Sequence, residues 1–208
     1  MLDKVFIPVI KTPLTQLAQP LIRRGITANQ ITLMGFAMGM LAALALAGGF
    51  FFLGLLGIVL NRVFDGLDGA LARATNSSSD AGGYLDIVLD FIFYSAVIFG
   101  FAVANPEQNA LAAAFLIWSF MGTGSSFLAF AIMAAKRNIE QLDYGKKSLY
   151  FLGGITEGTE TIICFVLMCL FPSQFVVFAV VFGGLCWITT GTRIYAAYKM
   201  LDNAVNAR

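Results

Sequence analysis

From residue 25 to residue 61 the chain runs 37 residues without a charged side chain, bounded by Arg24 and Arg62. One membrane-crossing helix needs about 20 apolar residues, so this run is too long for one helix and slightly short for two. The natural break is Gly48-Gly49, which gives a first span over residues 29–47 and a second starting near Phe51. To cross a bilayer the second must continue past Arg62 and carry Asp65 and Asp68 with it. Residues 161–192 form another uncharged run, interrupted at Pro172-Ser173, so two more helices should reach back toward Glu157 and on to Arg193. Between the runs lie a span over residues 83–104, ended by Asn105-Pro106, and one over residues 109–135.

This pattern predicts an all-α integral membrane protein with six transmembrane helices. Even parity puts both termini on one side. The connections after spans 1, 3 and 5 carry no charge apart from Glu107, whereas the opposite side holds Lys4, Lys11, Arg23, Arg24, Arg73, Lys136, Arg137, Lys146, Lys147, Lys199 and Arg208. The positive-inside rule makes that basic side, with both termini, cytoplasmic. Residues 1–25 mix Val5, Phe6, Ile7, Leu14, Leu17 and Leu21 with polar positions and read as a juxtamembrane segment, an N-terminal interfacial amphipathic helix. The alternative is a basic tail broken by Pro8, Pro13 and Pro20, and those prolines with Asp3, Lys4 and Lys11 leave no continuous apolar core for a signal peptide. Residues 26–208 then form a six-helix bundle, and residues 1–208 a single membrane domain. No internal repeat is visible.

Composition narrows the chemistry. Hydrophobic residues make up 59% of the chain and charged residues 12%, against roughly a quarter in soluble domains. Thirteen Lys and Arg face twelve Asp and Glu, and a net charge of +1 gives no support to nucleic-acid binding. Histidine is absent, which removes Ser-His-Asp triads, HExxH zinc sites and haem-His ligation. Cys164, Cys169 and Cys186 sit in apolar stretches without paired spacing and are expected to be packing residues. Phe50, Phe51, Phe52, Trp118 and Trp187 are expected to face lipid or pack.

The exception to this scarcity of charge lies between residues 65 and 90. On one helix Asp65, Asp68, Gly69 and Ala72 share a face; on the next, Gly82, Asp86 and Asp90 stack at i+4 spacing. A short loop over residues 74–81 lets the two acidic faces meet. A charged side chain near a bilayer centre costs about 2.5–3.5 kcal/mol on insertion scales, and like charges at close range add to that. Something cationic must compensate, and Arg73 alone is insufficient. Carboxylates without His or Cys suit Mg²⁺ or Mn²⁺, and four Asp can bridge a pair of ions. Such pairs clamp the attacking and leaving oxygens of a phosphoryl-type displacement. Gly69 and Gly82 would let a bulky ligand approach the backbone. Against this stands the reading of ordinary solvated helix-end acids.

The pattern Asp65-x2-Asp68-Gly69-x2-Ala72-Arg73-x8-Gly82-x3-Asp86-x3-Asp90 resembles the full signature of the CDP-alcohol phosphotransferase (phosphatidyltransferase) superfamily, with every position filled. Thr27-Ala28-Asn29-Gln30-Ile31-Thr32 is similar to the family's entry into its first span, with Ala28 where many members have proline. Over its length, including residues 153–161, the chain is most similar to the short YnjF-like bacterial inner-membrane branch. The resemblance implies metal-dependent transfer of a substituted phosphate, in phospholipid biosynthesis, from a CDP-linked donor such as CDP-diacylglycerol to a small alcohol, releasing CMP. It implies Asp65, Asp68 and Asp86 as metal ligands and Asp90 as general base close to the second ion. Gly69, Ala72, Arg73 and Gly82 would form the CDP pocket, with Asn29 and Thr32 as further contacts. It also favours a homodimer in the bacterial cytoplasmic membrane, with the site facing the cytoplasm, where CMP leaves into water.

Other polar positions stay open at this level. Glu157 and Glu160 could recognise an amino-alcohol or polyol, or simply cap a helix N-terminus, where acids are favoured anyway. Arg193, with Lys146 or Lys147, could bind an acceptor phosphate, or serve as an ordinary cytoplasmic anchor. Gly35-x3-Gly39 and Gly122-Thr123-Gly124-Ser125-Ser126 read first as sites of close helix packing. Two other readings of the Asp cluster are a divalent-cation transporter and a non-catalytic membrane protein. Transport is disfavoured by the clustering of carboxylates at one membrane face without a continuous polar path through the other spans.

Overall fold

The structure, a computed structural model, describes residues 3–137 and 154–206. All regular elements among these residues are helical. In chain order they are α1 (Asp3–Arg23), α2 (Ala28–Ala47), α3 (Phe51–Ala74), α4 (Asp80–Ala104), α5 (Pro106–Lys136), α6 (Gly158–Leu170), a 3-10 turn (Pro172–Gln174) and α7 (Phe175–Asn206).

The boundaries follow from capping chemistry. Thr27 caps α2 reciprocally with Gln30: the Gln30 N–H donates to Thr27 Oγ1 at 3.3 Å, and the Thr27 N–H to Gln30 Oε1 at 3.0 Å. Helix α2 stops at Gly48-Gly49, where Gly49 takes φ +78° and lets the chain reverse into α3. Ser79 caps α4 through the Gly82 N–H at 3.1 Å, and Asn105-Pro106 ends α4 while starting α5. The breaks expected at Gly48-Gly49, Asn105-Pro106 and Pro172-Ser173 are all present. Helix α1 runs straight through Pro13 and Pro20, so the N-terminal segment is helical despite its prolines, and α7 continues well past Arg193.

Among the described residues, four stretches are long and apolar enough to cross a membrane: α2, α4, α5 and Pro172–Asp202. Helix α3 has the length, but Arg62, Asp65, Asp68 and Arg73 interrupt its apolar character. Helix α6 has 13 residues and so rises about 20 Å, less than the roughly 30 Å of a hydrocarbon core. Large apolar side chains including Leu44, Phe52, Leu111 and Met121 point outward, as lipid-facing helices require.

Helix α2 packs most closely on α3 and α4, α5 lies along α7, and α6 packs against α3 and α7. The main core is aromatic: Phe101 stacks on Phe175 at 4.9 Å and on Phe51 at 5.6 Å, with Phe93, Phe165 and Met168 fully buried beside them. A second, smaller core of Ala18, Ile31, Leu67, Ala70 and Leu71 joins α1 to the start of α2 and the end of α3. It therefore fixes the part of α3 that carries Asp65 and Asp68. The three cysteines are free and buried in packing positions, as expected.

Close approach depends on missing side chains. A Cβ on Gly39 would lie 2.5 Å from the Phe93 ring, and one on Gly57 would lie 2.7 Å from Ala42 Cβ and 3.3 Å from the Met38 carbonyl. The contacts at Gly57 involve backbone and a methyl group, which cannot swing aside. Gly57→Val should therefore cost about 1–3 kcal/mol through overpacking, read as a lower unfolding temperature in detergent. Gly184→Ala, where nothing lies within 4 Å, should not lower that temperature.

Candidate active site

Helix α3 presents Asp65 and Asp68, and α4 presents Asp86 and Asp90, to one small cavity that Thr32, Asn61 and Arg62 also line. The two acidic faces therefore meet, as the spacing requires. The negative charge inside is met first by Arg62. Its guanidinium grips Asp90 with both terminal nitrogens, Nη2 to Oδ1 at 2.5 Å and Nη1 to Oδ2 at 3.3 Å, and lies 3.5 Å from Asp65. Nε donates to Asn61 Oδ1 at 2.8 Å, and the guanidinium carbon sits 5.0 Å from the Phe93 ring centre and 5.6 Å from that of Tyr94. Asn61 in turn donates to the Gly35 carbonyl at 2.8 Å, tying the arrangement to α2.

Asp68, 8% exposed, accepts from Thr32 Oγ1 at 2.6 Å. Tyr94 donates to Asp90 Oδ2 at 3.2 Å. Among the described residues no three carboxylates close around one point as a ready ligand set. Asp90 is turned onto Arg62.

A larger cleft opens beside this cavity and shares Thr32, Asp68 and Asp86 with it. Its walls include Asn29 from α2, Gly69 and Ala72 from α3, Ser77 to Ser79 from the connecting loop, and Gly82 from α4. Five of the six expected nucleotide contacts thus line one cleft leading onto the aspartates. The sixth, Arg73, is exposed and folds back over Gly69, with Nη1 3.1 Å from where a Gly69 Cβ would stand. On the far side of Tyr94 lies a third space, of about 910 Å³ with its open mouth included, lined by Tyr94, Phe91, Phe127, Thr123, Glu157 and Arg193 among others.

Residues 25–195 match the family model for CDP-alcohol phosphatidyltransferase. The chain belongs to the CDP-alcohol phosphatidyltransferase family. It is a transferase of that family. Over 203 residues it is 56% identical to the inner membrane protein YnjF of Escherichia coli, covering 98% of each chain. It is 33% identical to the archaetidylinositol phosphate synthase of Pyrococcus horikoshii over 208 residues, covering 97% of this chain and 99% of that protein. The crystal structure of Mycobacterium tuberculosis phosphatidylinositol phosphate synthase with CDP-DAG bound has the same fold, with a TM-score of 0.66, 22% identity and coverage of 89% and 93%. The same synthase in complex with manganese and citrate superposes with a TM-score of 0.67 over 89% and 88% of the chains, again at 22% identity.

Within this family member, the expected acceptor residues divide. Arg193 is 7% exposed, donates to the Thr123 carbonyl at 2.9 Å and lies 5.5 Å from the Phe127 ring centre, so it is a built-in wall of the third space. Glu157 and Glu160 form a reciprocal capping box on α6, in which the Glu157 N–H donates to Glu160 Oε2 at 3.2 Å. Glu157 also lines the third space. Lys146 and Lys147 lie outside the described residues. Gly122 and Gly124 permit close packing against Thr190 and Phe91, as expected, and Thr123 and Gly124 additionally border the third space.

Arg62, Asn61 and Tyr94 escaped the sequence reading as site residues. Arg62 stands three before Asp65 and Tyr94 four after Asp90, spacings that place each beside its carboxylate on a helix. Asn61→Ala would leave both the Gly35 carbonyl and the Arg62 Nε short of a partner, at a cost of about 1–3 kcal/mol. The measurement is the unfolding temperature in detergent, where Asn109→Ala, which removes a comparable buried bond to the Phe101 carbonyl, gives the scale; only the Asn61 variant should also lower CMP release.

Proposed function

We propose that this chain transfers a phosphatidyl group from a CDP-linked lipid donor, CDP-diacylglycerol, to the hydroxyl of a small alcohol, with CMP as the leaving group. The observation that supports this reading best is the continuity of the nucleotide cleft with the cavity of four aspartates, joined through Thr32, Asp68 and Asp86. A pyrophosphate placed at that junction lies between the glycine-lined walls and the carboxylates.

The donor set is all oxygen, and its four carboxylates from two facing helices fit hard divalent cations better than any softer metal. Asp65, Asp68, Asp86 and Asp90 would hold them, Mg²⁺ or Mn²⁺ and two in number. Bound there, such ions neutralise the donor's pyrophosphate and polarise its oxygens. The chain's own groups do the rest. Asn29, Gly69, Ala72, Arg73 and Gly82 hold the cytidine nucleotide, and Arg73 adds charge-assisted donors toward phosphate. Asp90 takes the proton of the acceptor hydroxyl as its oxygen bonds to the lipid-bearing phosphorus. The bond from that phosphorus to the CMP oxygen then breaks, and the two electrons leave with CMP.

The acceptor enters through the third space, where Arg193 and Glu157 line the wall, with Glu160 and Lys146 as further candidate contacts. The Pyrococcus relative is named a synthase of archaetidylinositol phosphate, which supports a phosphorylated polyol as one acceptor to test first. The same reading makes the protein one membrane domain of six spans, with α1 at the interface, both termini cytoplasmic and the site open to the cytoplasm. It places the chain in the inner membrane as a homodimer.

Purified protein with Mn²⁺, CDP-diacylglycerol and a panel of alcohols tests the reading by CMP release. Asp90→Asn should lower turnover by about 10²–10⁴-fold, the usual worth of a positioned base, while donor binding persists. Absence of CMP release with every alcohol, or an active Asp90→Asn variant, would refute it.

A further inference from the structure

We propose that Arg62 is a positioning residue, the resident counter-cation of the aspartate cavity, which competes with the divalent ions for Asp90 and Asp65 and thereby sets metal affinity. The proposal rests on the metal-dependent reading above. Its basis is geometric. Both Asp90 oxygens lie in the fork of one guanidinium, and the same guanidinium reaches Asp65. The fork occupies one lone pair on each Asp90 oxygen, and its positive charge repels a cation approaching the same carboxylate, so the two compete for it.

The second part of the argument concerns which partner yields. Arg62 is held independently of the carboxylates, by Asn61 Oδ1 at Nε, by the Phe93 and Tyr94 rings, and by the Tyr94 hydroxyl 3.4 Å from Nη1. Asn61 is itself pinned to the Gly35 carbonyl. The guanidinium therefore stays, and the exchange is made by rotation of the carboxylates. Arg62 is left beside the ions as a fixed positive charge that opposes over-tight binding. With ions absent it offsets the carboxylate repulsion that would otherwise push α3 and α4 apart. Arg73, exposed over Gly69, does not occupy this position.

The test measures Mn²⁺ binding by the spin-resonance signal of free Mn²⁺, and unfolding temperature with chelator and with saturating Mn²⁺, for the wild-type chain, Arg62→Gln and Arg62→Lys. Arg62→Gln should bind Mn²⁺ about tenfold more tightly, an ordinary coupling between neighbouring charges. It should also unfold about 4 °C or more lower in chelator, a loss that Mn²⁺ reverses. Arg62→Lys keeps the charge without the fork and should tighten Mn²⁺ binding by about threefold. If Arg62→Gln binds Mn²⁺ no more tightly than wild type, or loses the same stability with and without Mn²⁺, Arg62 is only a structural tie and the proposal fails. Should Arg62→Gln not fold, an unchanged Mn²⁺ affinity in Arg62→Lys overturns the proposal equally. A wild-type chain that binds no Mn²⁺ overturns the metal-dependent reading itself, a different outcome from either.

Discussion

Four carboxylates drawn from two helices into one cavity repel one another, and the rest of this structure is organised around meeting that repulsion. Arg62 meets it most directly, bridging α3 to α4 through Asp90 and reaching Asp65 on its own helix. Thr32 meets it from α2, giving a hydrogen bond to the least exposed of the four, Asp68. Three helices are thus joined by polar contacts at this cavity. Removing one partner from such an arrangement costs more than the contact itself, because the group left behind stays desolvated.

The supports behind these contacts are apolar and close-fitting. Gly35 and Gly39 bring α2 against α3 and α4 so closely that Asn61 can reach a backbone carbonyl of α2. The small core around Leu71 and Ile31 anchors α1 across the same ends. Aromatic packing between Phe51, Phe101 and Phe175 stiffens the opposite half of the bundle. The division is a functional one: rigid apolar packing at one end holds an acidic cavity and two clefts in register at the other.

Much of this was legible in the sequence because its strongest signals were local. Helix breaks at Gly48-Gly49 and Asn105-Pro106 are written in residue types with a single backbone meaning. The acidic positions follow helical spacing, so their common face could be read without coordinates. What escaped was pairwise and non-local. Arg62 registered as the residue that ended an uncharged run, although its i+3 relation to Asp65 was visible; its grip on Asp90, 28 residues away, was not. Nothing in the apolar sequence around Tyr94 marks it out, yet its hydroxyl lies 3.2 Å from Asp90. Glu160, which allowed two readings, takes part in the capping box because α6 begins at Gly158. The end of α6 at Leu170, by contrast, falls where the Pro172-Ser173 interruption of the uncharged run puts it.

The central claim is that the four aspartates hold divalent ions at the mouth of the nucleotide cleft, and anomalous diffraction tests it most directly. Crystals of the full chain grown with Mn²⁺ and a cytidine nucleotide would be measured near the manganese absorption edge. The account predicts anomalous peaks within coordination distance of Asp65, Asp68, Asp86 and Asp90, with the nucleotide phosphate reaching the same peaks from the Gly69 and Gly82 side. Peaks placed elsewhere in the bundle, or a nucleotide bound away from these carboxylates, would contradict it.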